Sequence, residues 1–186
     1  MYFKKIIGDK VYLSPRSLDD IEKYTEWLND YEIAKYVNQN RNVINIDIEK
    51  AYLEKTNNDY NFAIVDKESD KLIGSIGLMD IKQVDRTAEL GIFIGDKEYL
   101  SKGYGSDAIK ILLDYGFNQL NLNNIKLCVL DFNKRAMRNI SLAIIKWVFI
   151  KRHLHGPCRK SVYNKGKSQS AGKSKSKTDN QTDSGS

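Results

Sequence analysis

Residues 87–116, TAELGIFIGDKEYLSKGYGSDAIKILLDYG, constrain this chain more than any other stretch. They read as a strand, a glycine-containing loop, then a helix. Thr87–Ile94 is β-branched, aromatic and aliphatic, and Gly95-Asp96 closes it with turn residues. Alternation places Glu89, Gly91 and Phe93 on one face of this strand and Leu90, Ile92 and Ile94 on the other. Ser106 is the predicted cap of a helix whose Ala108, Ile109, Leu112, Leu113 and Phe117 recur at helical spacing. In the loop Ser101-Lys102-Gly103-Tyr104-Gly105, the glycines let the backbone turn tightly and approach a ligand. The helix start beyond it offers unpaired N–H groups and the positive end of a dipole, which suit a phosphate. A Gly-x-Gly before a helix also serves plain connections. The common nucleotide loops fit poorly. A Walker loop needs its lysine after the second glycine, and here Lys102 precedes both. A dinucleotide fingerprint needs a third glycine, which residues 106–108 lack.

The rest of the chain alternates strands with helices. Residues 10–16 read as a first strand, ended at Pro15. Ser17 with Asp19, Asp20 and Glu22 makes an acidic helix start, and Ile21, Tyr24, Trp27 and Leu28 form one apolar stripe. A second short helix carries Ile33, Ala34 and Val37. Residues 38–45 are polar loop, and 46–55 read as another helix. Residues 60–66 and 71–80 are strands joined by the polar turn 67–70, hence an antiparallel hairpin. Residues 125–131 make a fifth strand. The predicted class is α+β, or mixed α/β.

The order strand, Lys-Gly-Tyr-Gly, helix, strand, then Phe132-Asn133-Lys134-Arg135-Ala136 closely resembles the GNAT superfamily of acyl-CoA-dependent N-acyltransferases. Within it the chain is most similar to the branch of ribosomal-protein N-terminal and spermidine acetyltransferases. Val11-Tyr12-Leu13-Ser14-Pro15-Arg16, Trp27-Leu28-Asn29-Asp30, Ile73-Gly74-Ser75-Ile76-Gly77 and Ala88-Glu89-Leu90-Gly91 extend the likeness over roughly residues 8–138. The resemblance implies a central, mostly antiparallel sheet flanked by helices, and acetyl transfer from acetyl-CoA to an amine acceptor. Backbone groups of Ile92, Phe93 and Ile94 would pair with the pantetheine arm, and one would donate to the thioester oxygen. N–H groups across Ser101, Lys102, Gly103, Tyr104, Gly105 and Ser106 would hold the pyrophosphate, Leu100 would also belong to the cofactor site, and Asn133 would bond the pantetheine. Leu100-Ser101 stands where the family commonly has Trp-Gly. Glu89 is the candidate general base, its alternative a solvated residue or a partner of Arg86. Asp30, Tyr31 and Asp85 are candidates for acceptor recognition, with Tyr31 equally open to a core role.

Charge is unevenly placed. Residues 1–150 hold 21 Lys+Arg against 22 Asp+Glu, and residues 151–186 hold 9 against 2. The basic balance thus belongs to the tail, and no specific nucleic-acid partner is expected. Cys128 and Cys158, distant and without metal spacing, suggest a reducing compartment. No metal is expected, since His153 and His155 fit neither a metal motif nor a triad. No run reaches the roughly 18–20 apolar residues of a membrane span. The expectation is a cytoplasmic protein with no membrane partner, its state open between monomer and dimer.

After Arg138 the likeness stops. The family continues with a helix bearing a tyrosine four residues past the alanine, which protonates the departing thiolate, and Gly-Phe then leads into two last strands. Here Ile140 takes the tyrosine's place and Ile144-Ile145 that of Gly-Phe. The predicted organisation is an acyl-CoA-binding domain over 1–138, an atypical apolar and basic segment over 139–163, and a disordered tail over 164–186, with the last two strands lacking. The expectation is that a frameshift replaced the family's C-terminus. Suitable codons for residues 142–152, read one base earlier, encode Cys-Tyr-Asn-Lys-Met-Gly-Phe-His-Lys-Lys, and Trp147-Val148 forces the glycine. Loss of the outer strands would leave the fifth strand unpartnered and the product poorly stable, with weak turnover or acyl-CoA binding alone.

Overall fold

Among the described residues, seven strands lie side by side in chain order. The computed structural model describes residues 1–37, 42–56, 60–130, 132–137 and 158–164, the last stretch as backbone. β1 (Ile6–Ile7), β2 (Val11–Pro15), β3 (Tyr60–Asp66), β4 (Leu72–Lys82) and β5 (Thr87–Ile94) form successive antiparallel pairs. α4 (Tyr104–Asn118) then carries the chain across, so β6 (Asn124–Leu130) runs parallel to β5. This is the expected mixed α/β fold, mostly antiparallel, with helices on the sheet.

Alternation along the strands builds two cores. Leu13, Ile64, Ile76 and Leu90 pack with Ile109 and Leu112 of α4 on one face. Tyr12, Ala63 and Val65 pack on the other with Tyr24 and Trp27 of α1 (Ile21–Asn29) and Leu53 of α3 (Ile46–Thr56). Each fully buried Leu, Ile or Val among them contributes about 1.5–3 kcal/mol. Trp27 fits only because residue 95 is glycine: a Cβ there would stand 2.0 Å from the indole Cδ2. α2 (Tyr31–Ala34) follows α1 directly, turned at Asp30, whose Oδ1 accepts the Glu32 N–H at 2.9 Å.

The structure departs from the sequence reading in four places. β1 was not foreseen, being two residues long. α4 starts at Tyr104, capped by Gly103 at φ +90° instead of by Ser106, because a glycine accepts the left-handed conformation where the loop turns into the helix. The third is the outer edge. β7 (Cys158–Asn164) pairs antiparallel along the whole of β6, so the fifth predicted strand has its partner and one of the two strands expected to be lacking is present. A bare strand edge offers a row of N–H and C=O groups, and the returning chain satisfies them. Last, β7 sets Cys158 opposite Leu130, two positions from Cys128, and Cys128 lies in a disulfide, contrary to the reading of two distant cysteines in a reducing compartment. The readings placed on residues 38–41, Asp131, 138–157 and 165–186 lie outside the described residues. Among the described residues no helix is long and apolar enough to cross a membrane.

Candidate active site

β5 changes partners half-way along. From Thr87 to Leu90 it pairs with β4 on one side and β6 on the other, the last β6 pair being Leu90↔Leu127. Beyond that β4 stays, up to Gly74↔Ile94, while β6 continues with β7 alone. The two parallel strands therefore part after Leu90. Ile92, Phe93 and Ile94 line the resulting cleft, a space of about 750 Å³ with its mouth included. Phe93 is braced from behind by edge contacts to Tyr24 at 6.3 Å and Trp27 at 6.2 Å.

The loop before α4 makes one side of this cleft through Leu100, Ser101, Gly103 and Gly105. Ser101, at φ +61°, and Gly103 are both left-handed, which bends the chain sharply into the helix. The first turn of an α-helix leaves its N–H groups without intrahelical acceptors. Among the described residues nothing takes those of Gly103, Tyr104 and Gly105; the first helical bond runs from Asp107 N–H to the Gly103 carbonyl, at 3.0 Å. Lys102, Tyr104 and Ser106 shape the loop without lining the cleft. The Lys102 carbonyl accepts from Lys10 Nζ at 2.9 Å, and the Tyr104 ring meets Tyr99 edge-on at 4.9 Å. Asp107 fixes the assembly to β2, its Oδ2 accepting from the Lys10 and Val11 N–H groups at 2.8 and 3.2 Å.

Asn133 lines the cleft and is buried, and its Oδ1 accepts the Ala136 N–H at 3.0 Å to cap the helical turn 134–137. Seven lining residues escaped the sequence reading as site members, among them Tyr36, Val37, Tyr99 and Arg135. Tyr36 meets the Phe132 ring at 6.0 Å, and the Arg135 guanidinium lies 4.9 Å from the Tyr36 centroid. Tyr99 donates to Asp66 Oδ2 at 3.4 Å. Burial pushes the Asp66 carboxyl up, but hydrogen bonds from the Ser69 side chain and backbone hold it below its ordinary value. Only the quoted Asn-Lys-Arg run gave any sign of Arg135, and its meeting with Tyr36 is a tertiary fact.

Glu89 sits half-buried one residue before the strands part, opposite Met79 on β4 and Lys126 on β6, next to the cleft and not among its lining residues. It shares its face with Phe93, as alternation requires, and no ion pair or hydrogen bond to it is found among the described residues. Arg86 is engaged elsewhere, donating to the Asn121 carbonyl at 2.7 Å and to its Oδ1. The β4–β5 register slips between Met79 and Lys82, beside Glu89. The three acceptor candidates do not gather in the cleft. Asp30 caps α2 and pairs with Lys97 at 2.5 Å, and that ammonium holds its carboxyl below the usual range. Tyr31 is exposed with Lys35 over its ring at 5.7 Å. Asp85 is exposed in the turn before β5, at the opposite end of that strand from Phe93 and outside the cleft lining. Among the described residues no three His, Cys, Asp or Glu are grouped to hold a metal ion.

Residues 10–141 match the acetyltransferase (GNAT) domain family. The chain belongs to that family. It is 34% identical over 126 residues to the uncharacterized N-acetyltransferase p20 of Bacillus licheniformis, covering 63% of this chain and 68% of that protein. To the probable N-acetyltransferase YjcK of Bacillus subtilis it is 33% identical over 111 residues, 59% of this chain and 56% of the relative. The matches thus span little more than half to two thirds of these relatives. Among solved structures, the spermidine N-acetyltransferase of Vibrio cholerae, in complex with CoA and spermine, superposes with a TM-score of 0.69 over 84% of this chain and 96% of that one, at 22% identity. At that identity the likeness speaks for the GNAT fold, and several acetyltransferase branches share it.

Proposed function

We propose that this GNAT-family chain moves an acetyl group from acetyl-CoA to a primary amine. The observation that carries the reading is the parting of β5 and β6 beside a helix start whose Gly103, Tyr104 and Gly105 N–H groups no described residue takes. The free edge of Ile92, Phe93 and Ile94 is suited to an extended arm added as a strand. The Gly103, Tyr104 and Gly105 N–H groups, at the positive end of α4, are suited to a diphosphate. Asn133, locked by its cap to Ala136, presents the rest of its amide to the same cleft. Bound acetyl-CoA supplies the activated thioester. A β5 N–H donates to the oxygen on which charge develops, and Glu89 takes the proton of the amine directly or through water. That proton need accounts for a mid-strand carboxylate with no partner among the described residues.

Two measurements test this. CoA should raise the melting temperature of the full chain in a saturable way. Release of free thiol from acetyl-CoA, followed over an amine panel, should fall about 100-fold or more in Glu89→Gln with the CoA shift retained. A folded protein that CoA does not stabilise rules the reading out. A second reading rests on Ile140 at the family's tyrosine place: an acyl-CoA-binding module without turnover. A CoA shift with no acceptor consumed, restored to activity by the reading frame that brings back Tyr-x-x-x-Gly-Phe, selects it.

A further inference from the structure

Arg135 is a charged group in the cleft wall that the acetyl-transfer reading leaves without a task. Its guanidinium is stacked 4.9 Å from the Tyr36 centroid, and Phe132 holds the same ring at 6.0 Å. Among the described residues it has no carboxylate partner, and no Asp or Glu lines the cleft. Among the described residues, three acids of the flanking elements are engaged. Asp30 pairs with Lys97, Glu32 with Lys35 at 2.7 Å, and the Asp66 Oδ2 with Ser69 and Tyr99. In sequence, residues 38–41 and 138–157 contain no Asp or Glu, and Asp131 adjoins the stretch 132–137. Glu89 supplies one carboxylate for one ammonium. A polyamine brings two or more further positive charges to a wall that already carries one.

We propose that Arg135, pre-oriented on Tyr36, pairs with an anionic group of the amine acceptor, so that the acceptor is an amine bearing a carboxylate or phosphate and not a polyamine. A planar guanidinium held on an aromatic face loses little freedom on forming a bidentate pair, which makes it a selective anion site. This rests on the acetyl-transfer reading for the identity of the cleft. It asks more of it, namely the sign of the acceptor's charge.

The test uses the full chain saturated with CoA and follows its melting temperature against alanyl-alanine, alanyl-alanine amide and spermidine. The free acid should act at concentrations roughly 10–100-fold lower than the amide, spermidine should give no shift, and R135Q should erase the difference between acid and amide. R135K, which keeps the charge but not the fork, should retain part of it. Spermidine matching the acid, acid and amide acting alike, or the preference surviving in R135Q overturns the proposal. So does R135Q weakening CoA while leaving dephospho-CoA untouched, which assigns the guanidinium to the nucleotide's own phosphate. If CoA gives no shift at all, the acetyl-transfer reading fails by itself, and the acid–amide comparison on the unliganded chain still decides the charge preference.

Discussion

The two halves of β5 carry the same pattern and meet different fates. Thr87–Leu90 is hydrogen-bonded on both sides, by β4 and β6, and its Ala88 and Leu90 are buried against α4. Four residues on, Ile92 and Ile94 point to the same face but are only partly buried, because β6 has turned away to β7. The first half behaves as core and the second as a binding edge. No change of residue type marks the boundary; what changes is the neighbour. In this fold a site arises where pairing stops.

Leu90→Ala and Ile92→Ala break that contrast most directly. Leu90→Ala should cost about 2–5 kcal/mol in chemical denaturation, with the CoA affinity of the folded fraction little altered. Ile92→Ala should cost about 1 kcal/mol, since part of its side chain already faces the cleft, yet weaken CoA severalfold. Equal stability losses from the two would erase the distinction between the halves. The helical layers differ in the same sense. α4 buries an almost wholly apolar face, whereas α3, on the other side, buries Glu49, which is 5% exposed. Burial raises this carboxyl to about 7, and the nearby Arg16 charge pulls it back only in part. A carboxyl raised in the folded state stabilises fully below its unfolded value, and that contribution is lost as pH rises to about 7. Glu49→Gln should therefore flatten the stability profile between about pH 4.5 and 7, with a gain on the order of 2 kcal/mol at pH 8. A wild-type profile that stays level across this window removes Glu49 as a weak point of the helical wall.

How far the sequence went follows the same line. β5, the loop and α4 were legible because a β-branched run, turn residues and a 3.6-residue period are local signals. The β3–β4 hairpin announced itself through the polar turn at 67–70. The parting of β5 from β6 was not legible, since register between strands separated by a helix is decided by packing. Nor was the pairing of Tyr36 with Arg135, which joins distant parts of the chain, or the ion pair that draws Asp30 to Lys97. Gly103 was read as a ligand-approach glycine; the structure adds that it is also the cap. Gly103→Val should consequently cost about 1–2 kcal/mol from the left-handed backbone alone. It should also remove the CoA shift, while Gly105→Ala, whose Cβ would meet side chains only at 3.7 Å or more, leaves stability within about 0.5 kcal/mol and separates shape from strain.

The smallest effect concerns α2, the short helix whose Ile33 lines the open half of the cleft. Asp30 caps it with one oxygen and grips Lys97 with the other, so the two jobs can be taken apart. Asp30→Asn keeps a cap and gives up an exposed ion pair, a loss of about 0.5 kcal/mol or less, felt mainly at low salt. Asp30→Ala gives up both, about 1 kcal/mol. Because Lys97 lowers the Asp30 carboxyl, the ion-pair share is present above the ordinary carboxylate range and disappears as the pH falls through it. Were Asp30 instead the residue that receives a cationic acceptor, both variants would raise the acceptor's KM alike while stability barely moved. A brace predicts the reverse ranking, with Ala worse than Asn in the melt and KM following stability. That ranking decides whether the wall of the open half is built to hold α2 in place or to meet the amine.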